Sequence, residues 1–141
     1  MNSKAKSILL VEDSRFLRKA TERVLVKAGF NVVTANDGEE ALQVAFSTGP
    51  DLILLDMLLP KLSGPEVLRA LRKHPLTKET PVIVLSGLCQ ANEKKLALEG
   101  ATAYLQKGTL DFDGDGDSIV QAVRTVLLNI TNREKEDALR L

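Results

Sequence analysis

At 141 residues the chain has room for one domain with a real core, and a second folded domain does not fit. Lys plus Arg and Asp plus Glu number 19 each, so no overall field draws the chain to nucleic acid or to an anionic membrane, and its charges must be read locally. A single cysteine, Cys89, excludes an internal disulfide framework and suits a reducing cytosol, and one histidine without a Cys/His cluster excludes an ordinary zinc site. Met1 to Lys6 is polar and expected to be disordered. The apolar run after it is too short for a signal peptide or a membrane span, so the expected location is cytoplasmic.

In chain order, Ile8 to Val11 reads as a first strand, and Glu12-Asp13-Ser14 follows with helix-capping residues. Leu17, Ala20, Val24, Leu25 and Ala28 recur at helical spacing and Gly29 supplies a stop. Asn31 to Ala35 is a second strand. Asp37-Gly38-Glu39-Glu40 has capping-box spacing and opens a helix with Ala41, Leu42, Ala45 and Phe46 on its apolar face. Between Gly49-Pro50 and Pro60 lies the most apolar stretch, whose body Leu52 to Leu55 reads as a central strand buried on both faces, with Asp56 where the strand should end.

Ser63-Gly64-Pro65-Glu66 repeats the capping box, with Pro65 in the first helical turn, and Val67, Leu68 and Leu71 carry that helix to about His74-Pro75. Pro81 to Leu85 reads as strand four, Asn92 to Glu99 as a short helix, and Ala103 to Gln106 as strand five. Ile119, Val123, Val126, Leu127 and Ile130 then pattern a final helix. Asn132 to Leu141 is charged, with Arg133 and Asp137 spaced for an i, i+4 pair, and is either an extension of that helix or the start of a linker.

Strand and helix thus alternate five times with short connections and near-continuous apolar strands. The pattern predicts a doubly wound α/β sandwich, a flavodoxin-like (βα)5 fold with a parallel five-stranded sheet in the order 2-1-3-4-5. On such sheets ligands bind at the carboxyl ends of the strands. That edge would gather Glu12 and Asp13 from strand one, Asp56 from strand three, Ser86 from strand four and Lys107 from strand five. Three carboxylates together either rise in pKa or share a cation, and oxygen ligands without His or Cys favour a hard one. Mg²⁺ is expected, with Mn²⁺ the alternative. With Mg²⁺ and Lys107 the formal charge of the three carboxylates is neutralised, so an anionic phosphoryl group is acceptable. Glu12-Asp13-Ser14-Arg15 is unlike a glycine-rich nucleotide cradle.

The combination of Glu12-Asp13, Asp56 with Pro60 and Gly64, Ser86-Gly87, and Tyr104 three residues before Lys107 resembles the receiver domain of two-component response regulators (CheY-like). The resemblance covers roughly Ser7 to Leu128. It implies a receiver domain over residues 7–130, followed by a charged extension or linker start over 131–141. It implies that Asp56 is the phosphoacceptor for a histidine kinase or phosphotransfer protein, and that the chain catalyses only its own phosphorylation and dephosphorylation. By the same resemblance Asp13 binds Mg²⁺ directly, Glu12 does so directly or through water, and the Leu58 backbone carbonyl completes the protein ligands. Ser86 would hydrogen-bond the phosphoryl group and Lys107 would pair with it. Tyr104 would turn inward as Ser86 moves, reshaping the face made by the helix over 92–99, strand five and the final helix. That face would bind an output protein, whose identity the sequence does not give, or pair two copies, with no direct nucleic-acid or membrane contact.

Three features depart from the usual receiver pattern. Glu12 is one methylene longer than the commoner Asp. Gly108 stands where the family usually has Pro. Leu58 and Leu88, two residues beyond Asp56 and Ser86, stand at positions whose side chains in receivers flank the phosphoryl group and tune its hydrolysis; neither can orient a water, so the resemblance implies a long-lived aspartyl phosphate. Two other classes compete with the switch: a docking module that works without phosphorylation, and a Mg²⁺-dependent phosphohydrolase, which would need an acid/base carboxylate where Leu58 stands. Outside the rim, Asp111-Phe112-Asp113-Gly114-Asp115-Gly116-Asp117 resembles the start of a Ca²⁺ loop, but Ala122 replaces the bidentate Glu, so a turn is expected. His74 is expected to be an exposed helix-end residue, Cys89 an inert loop thiol, and Asn129-Ile130-Thr131 a sequon without secretory context.

Overall fold

The computed structural model describes residues 5–87, 100–107 and 117–139. Its elements are β1 (Ser7–Val11), α1 (Arg15–Lys27), β2 (Asn31–Ala35), α2 (Gly38–Thr48), β3 (Leu52–Asp56), α3 (Gly64–Lys73), β4 (Val82–Ser86), β5 (Ala103–Gln106) and α4 (Asp117–Leu139). The helix predicted over 92–99 lies outside the described residues, as do Leu88, Cys89, Gly108 and the Asp111–Gly116 run.

All strand pairs are parallel, in the order β2-β1-β3-β4-β5. On β3, Leu52 and Leu54 face one core with Leu25 of α1 and Ile119 and Val123 of α4. Ile53 and Leu55 face the other core with Ala41 and Ala45 of α2 and Val67, Leu68 and Leu71 of α3. A central strand with helices on both sides has no polar face, which is why its sequence is uninterrupted Leu and Ile. The edge strand β2 alternates exposed Asn31 and Val33 with half-buried Val32 and Thr34.

The predicted caps form as hydrogen bonds. Ser14 Oγ accepts from the Leu17 amide at 3.4 Å, Asp37 Oδ1 from the Glu40 amide at 2.9 Å and Ser63 Oγ from the Glu66 amide at 3.3 Å. Gly49 closes α2 in the left-handed conformation at φ 58°, a position suited to glycine. Strand four begins one residue later than predicted. Pro81, which has no N–H to donate, contributes only its carbonyl, to the Ile53 amide, and the shift brings Ser86 into the strand opposite Gln106. Helix α4 runs unbroken to Leu139, with residues 131–139 exposed, so the charged segment continues the helix at least that far.

Two residues behave differently from their expected roles. On α1, Thr21 shares the fully buried position with Leu25, while Ala20 and Val24 are only half-buried. His74, expected to be exposed, is half-buried. Its ring stacks on Phe46 of α2 at 4.1 Å between centroids, and Nδ1 accepts from the Leu76 amide at 3.1 Å. Beside it, the Arg72 guanidinium donates to four carbonyls: Gly100 at 2.7 Å, Thr80 at 2.7 Å, Thr77 at 3.1 Å and Lys78 at 3.2 Å. It thereby ties the end of α3 to the segments leading into β4 and β5.

Among the described residues no helix is long and apolar enough to cross a membrane. Leu54 is wholly buried in the α1/α4 core. Leu54→Ala should therefore lower unfolding free energy in urea by about 2–5 kcal/mol.

Candidate functional site

Strand register assembles the site. Val11 lies opposite Leu55, so Glu12 and Asp56 occupy equivalent positions at the carboxyl ends of neighbouring strands. Asp56 is opposite Leu85 and Ser86 opposite Gln106, which puts Ser86 and Lys107 at the same edge. The predicted rim is therefore one place in the molecule. Glu12 and Asp56 are 3% and 2% exposed, Ser86 is buried and Asp13 is open to solvent. Oxygens of Glu12, Asp13 and Asp56 all lie within 4.8 Å of one another.

The Lys107 ammonium sits between the two buried carboxylates, 2.7 Å from Glu12 Oε1 and 2.9 Å from Asp56 Oδ2. Each carboxylate has a further partner on its other oxygen. The Ser14 amide donates to Glu12 Oε2 at 3.3 Å, and the Leu58 amide donates to Asp56 Oδ1 at 3.2 Å. These four bonds orient both carboxyl groups. Burial raises the Glu12 pKa above its ordinary value of 4.5, and nearby Asp56 adds to the rise while Lys107 opposes it. Burial by itself pulls the Lys107 ammonium down, but its bonds to Glu12 and Asp56 outweigh that and hold it above 10.5.

With all three carboxylates ionised, one ammonium leaves two negative charges in excess, and every side-chain donor is a carboxylate oxygen. This set could hold a divalent, oxygen-seeking metal ion, and the residues present fit that role.

The backbone here depends on close approaches. A Cβ on Gly64 would lie 2.5 Å from Met57 Cα and 2.7 Å from the Asp56 carbonyl oxygen, so only glycine lets α3 start against the end of β3. The Gly64 amide donates to the Met57 carbonyl at 3.0 Å. At β1, the Arg18 guanidinium reaches back to the Glu12 and Asp13 carbonyls at 3.1 and 3.4 Å. Arg18 escaped the sequence reading. Its spacing from Glu12 suggests nothing by itself, and only the tight β1–α1 turn brings the guanidinium back.

Three predicted residues remain. Tyr104, half-buried, packs against the core under α2 and α3 from its place opposite Val84. Leu58 is 65% exposed, its amide on Asp56 and its side chain in solvent beside the rim. Leu88 lies outside the described residues.

A parallel sheet in this order, with an acidic cluster and a lysine at its carboxyl edge, is a doubly wound α/β domain with a charged crevice where such sheets bind ligands. Residues 8–114 match the sequence profile of the response regulator receiver domain, and the chain belongs to that family. It is 40% identical over 121 residues to the transcriptional regulatory protein CpxR of Escherichia coli, covering 85% of this chain and 48% of that protein. The chain spans less than half the length of curated relatives it matches, at 13%, 42% and 48%. Among solved structures, chemotaxis protein CheY4 of Vibrio cholerae is 29% identical with a TM-score of 0.79, covering 86% of this chain and 98% of that one. The receiver domain of sensor histidine kinase PA1611 from Pseudomonas aeruginosa, solved with a magnesium ion coordinated in its active-site cleft, is 25% identical with a TM-score of 0.78, covering 87% and 98%.

The electrostatics set a pH dependence with two opposite limbs. Glu12 binds its proton more tightly in the folded state, so its contribution to stability falls as pH rises from 4.5 through the raised folded value. Lys107 holds its proton more tightly when folded, so its contribution is present below 10.5 and is lost as pH rises through its raised folded value. Urea unfolding across pH should show the acid-side slope flattened in Glu12→Gln and the alkaline loss reduced in Lys107→Met.

Proposed function

We propose that the chain is a phosphorylation-controlled switch of a two-component system, in which Asp56 takes a phosphoryl group from the phosphohistidine of a histidine kinase or phosphotransfer protein. A carboxylate oxygen of Asp56 forms the new P–O bond as the P–N bond to the donor imidazole breaks, and the imidazole leaves with the bonding pair. The observation that carries this reading is the shared ammonium of Lys107, 2.9 Å from Asp56 Oδ2. A cation already on the acceptor can pass to a phosphoryl oxygen as charge moves outward, without reorganising the site.

Phosphoryl transfer requires positioning and charge neutralisation more than covalent assistance from the protein. Asp13 would hold Mg²⁺, or Mn²⁺, directly, with Glu12 directly or through water and the Leu58 carbonyl as further ligands. When bound, the ion would neutralise charge at the acceptor and the incoming phosphoryl group. The acidic set at the rim supports this assignment, as does the magnesium ion in the PA1611 receiver cleft. Ser86 would hydrogen-bond a phosphoryl oxygen. Tyr104 would follow Ser86 inward, biasing the face formed by residues 92–99, β5 and α4 towards an output protein or a second copy.

On this reading residues 7–130 are the receiver and 131–141 its charged extension. The chain works in the cytoplasm, touches neither nucleic acid nor membrane directly, and catalyses only its own phosphorylation and dephosphorylation. The exposed Leu58 side chain beside Asp56, with Leu88 at the corresponding position after Ser86, would leave the attacking water without a partner and make the phosphoryl group long-lived.

A small-molecule phosphodonor with Mg²⁺ tests the reading. Stable label should appear on the wild-type protein and be absent from Asp56→Asn. No label on wild type would favour a docking module that works without phosphorylation, and continuous phosphate release would favour a hydrolase. Leu58→Asn and Leu88→Glu should each shorten the label's half-life several-fold, in the range of about 1 kcal/mol on the hydrolysis barrier; unchanged half-lives would remove the role assigned to these leucines.

A further inference from the structure

The segment between Asp56 and α3 carries Leu58, whose amide holds one oxygen of Asp56, yet the tip of this segment packs on a different element. At α2, Gly38 lies so close to Leu62 that a Cβ there would overlap the Leu62 carbonyl oxygen and lie 2.5 Å from Leu62 Cβ. The Gly38 amide donates to the Pro60 carbonyl at 3.4 Å, and the Leu62 amide donates to the same oxygen at 2.8 Å. Lys61, between them, has a left-handed backbone at φ 69° and is the only non-glycine residue with positive φ among those described. Lysine is not suited to that conformation, which persists only where surrounding contacts impose it. Its ammonium lies 3.5 Å from Asp37 Oδ2, the carboxylate whose other oxygen caps α2. The cap bond to Glu40, opposed by burial and aided by the Lys61 ammonium, holds the Asp37 carboxyl below its ordinary range, in keeping with a negative charge fixed at this point.

We propose that Asp37, Gly38 and Lys61 form a latch that positions the Asp56 carboxylate and its cation site through Leu58, making these three positioning residues for the chemistry at the rim. None of them touches Asp56. The latch clamps residues 60–62 to the start of α2, while Gly64 clamps the other end of the segment to Met57, so Leu58 is held from both sides. The Leu58 amide in the segment so held donates to Asp56 Oδ1 at 3.2 Å. This inference rests on the receiver reading of Asp56 for its purpose, and its geometry concerns only the unphosphorylated protein.

The test uses the full chain without phosphodonor. Asp37→Asn keeps a good capping side chain and removes the charge that meets Lys61, Lys61→Met removes the ammonium, and Gly38→Ala forces the tip away from α2. Leu58 amide hydrogen exchange would be followed by NMR, and Mn²⁺ affinity by electron paramagnetic resonance, with thermal melts as the control for folding. The expected result is faster Leu58 exchange in all three variants. Mn²⁺ binding should weaken about tenfold in Gly38→Ala, as for loss of supporting contacts behind metal ligands, and about two- to fivefold in the two charge variants. Melting temperatures of the charge variants should stay near wild type, which keeps the test valid even if Gly38→Ala does not fold. Unchanged Leu58 exchange would overturn the latch, and faster exchange with unchanged Mn²⁺ affinity would overturn its positioning role. Wild-type protein that binds Mn²⁺ normally but takes no phosphoryl label would overturn the phosphoacceptor reading and leave the latch standing. Wild type that bound no Mn²⁺ would overturn both.

Discussion

One lysine holds two buried carboxylates together. Glu12 and Asp56 arrive at the same depth on adjacent parallel strands because the β1–β3 register puts them there, and at that distance they repel. The Lys107 ammonium, 2.7 and 2.9 Å away, makes the arrangement tolerable, and it comes from the far edge strand of the sheet. The sheet cannot close its carboxyl edge without β5 in place. Conversely, β5, which is only half-buried along its length, gains through Lys107 a charged attachment to the centre of the molecule. The raised Lys107 pKa and the raised Glu12 pKa express one balance, in which burial works against both charges and the ion pairs work for them.

How much of this was legible in the sequence follows from the kind of signal involved. Strand β3 could be read directly because a strand covered on both faces must be apolar throughout, and Ser14, Asp37 and Ser63 could be read because a cap is set by residues three positions apart. Sheet order followed from the alternation of strands and helices, and the rim followed from sheet order. Thr21, His74 and Arg72 were not legible for a shared reason. Each is a polar residue whose role is set by what the rest of the fold presents to it: burial for Thr21, the Phe46 ring beside His74, and carbonyls from four positions around Arg72. Arg18 belongs with them. A sequence records that a side chain is long and charged, and does not record which turn will fold back beneath it.

The glycines at the site show a different limit. Gly64 could be recognised from the family resemblance, yet its physical necessity, a start of α3 in contact with the last peptide of β3, appears only in three dimensions. Gly38 read simply as part of a capping box. Its lack of a side chain matters because Leu62 fills the space, and that space exists only when the β3–α3 segment has folded over α2. Local pattern and long-range packing select the same residue here, and only the local reason can be seen in the chain.

At the opposite pole from the rim, the Arg72 guanidinium gathers the Gly100 carbonyl, just before β5, with carbonyls of the turn before β4. Both strands are therefore fastened at their amino ends to the same planar group, while their carboxyl ends carry Ser86 and Lys107. One side chain at the end of α3 thus fixes where both strands begin, and the distance from that common origin to the rim is the length of the strands themselves, so the spacing between Ser86 and Lys107 is set from the far end of the sheet as well as at the edge.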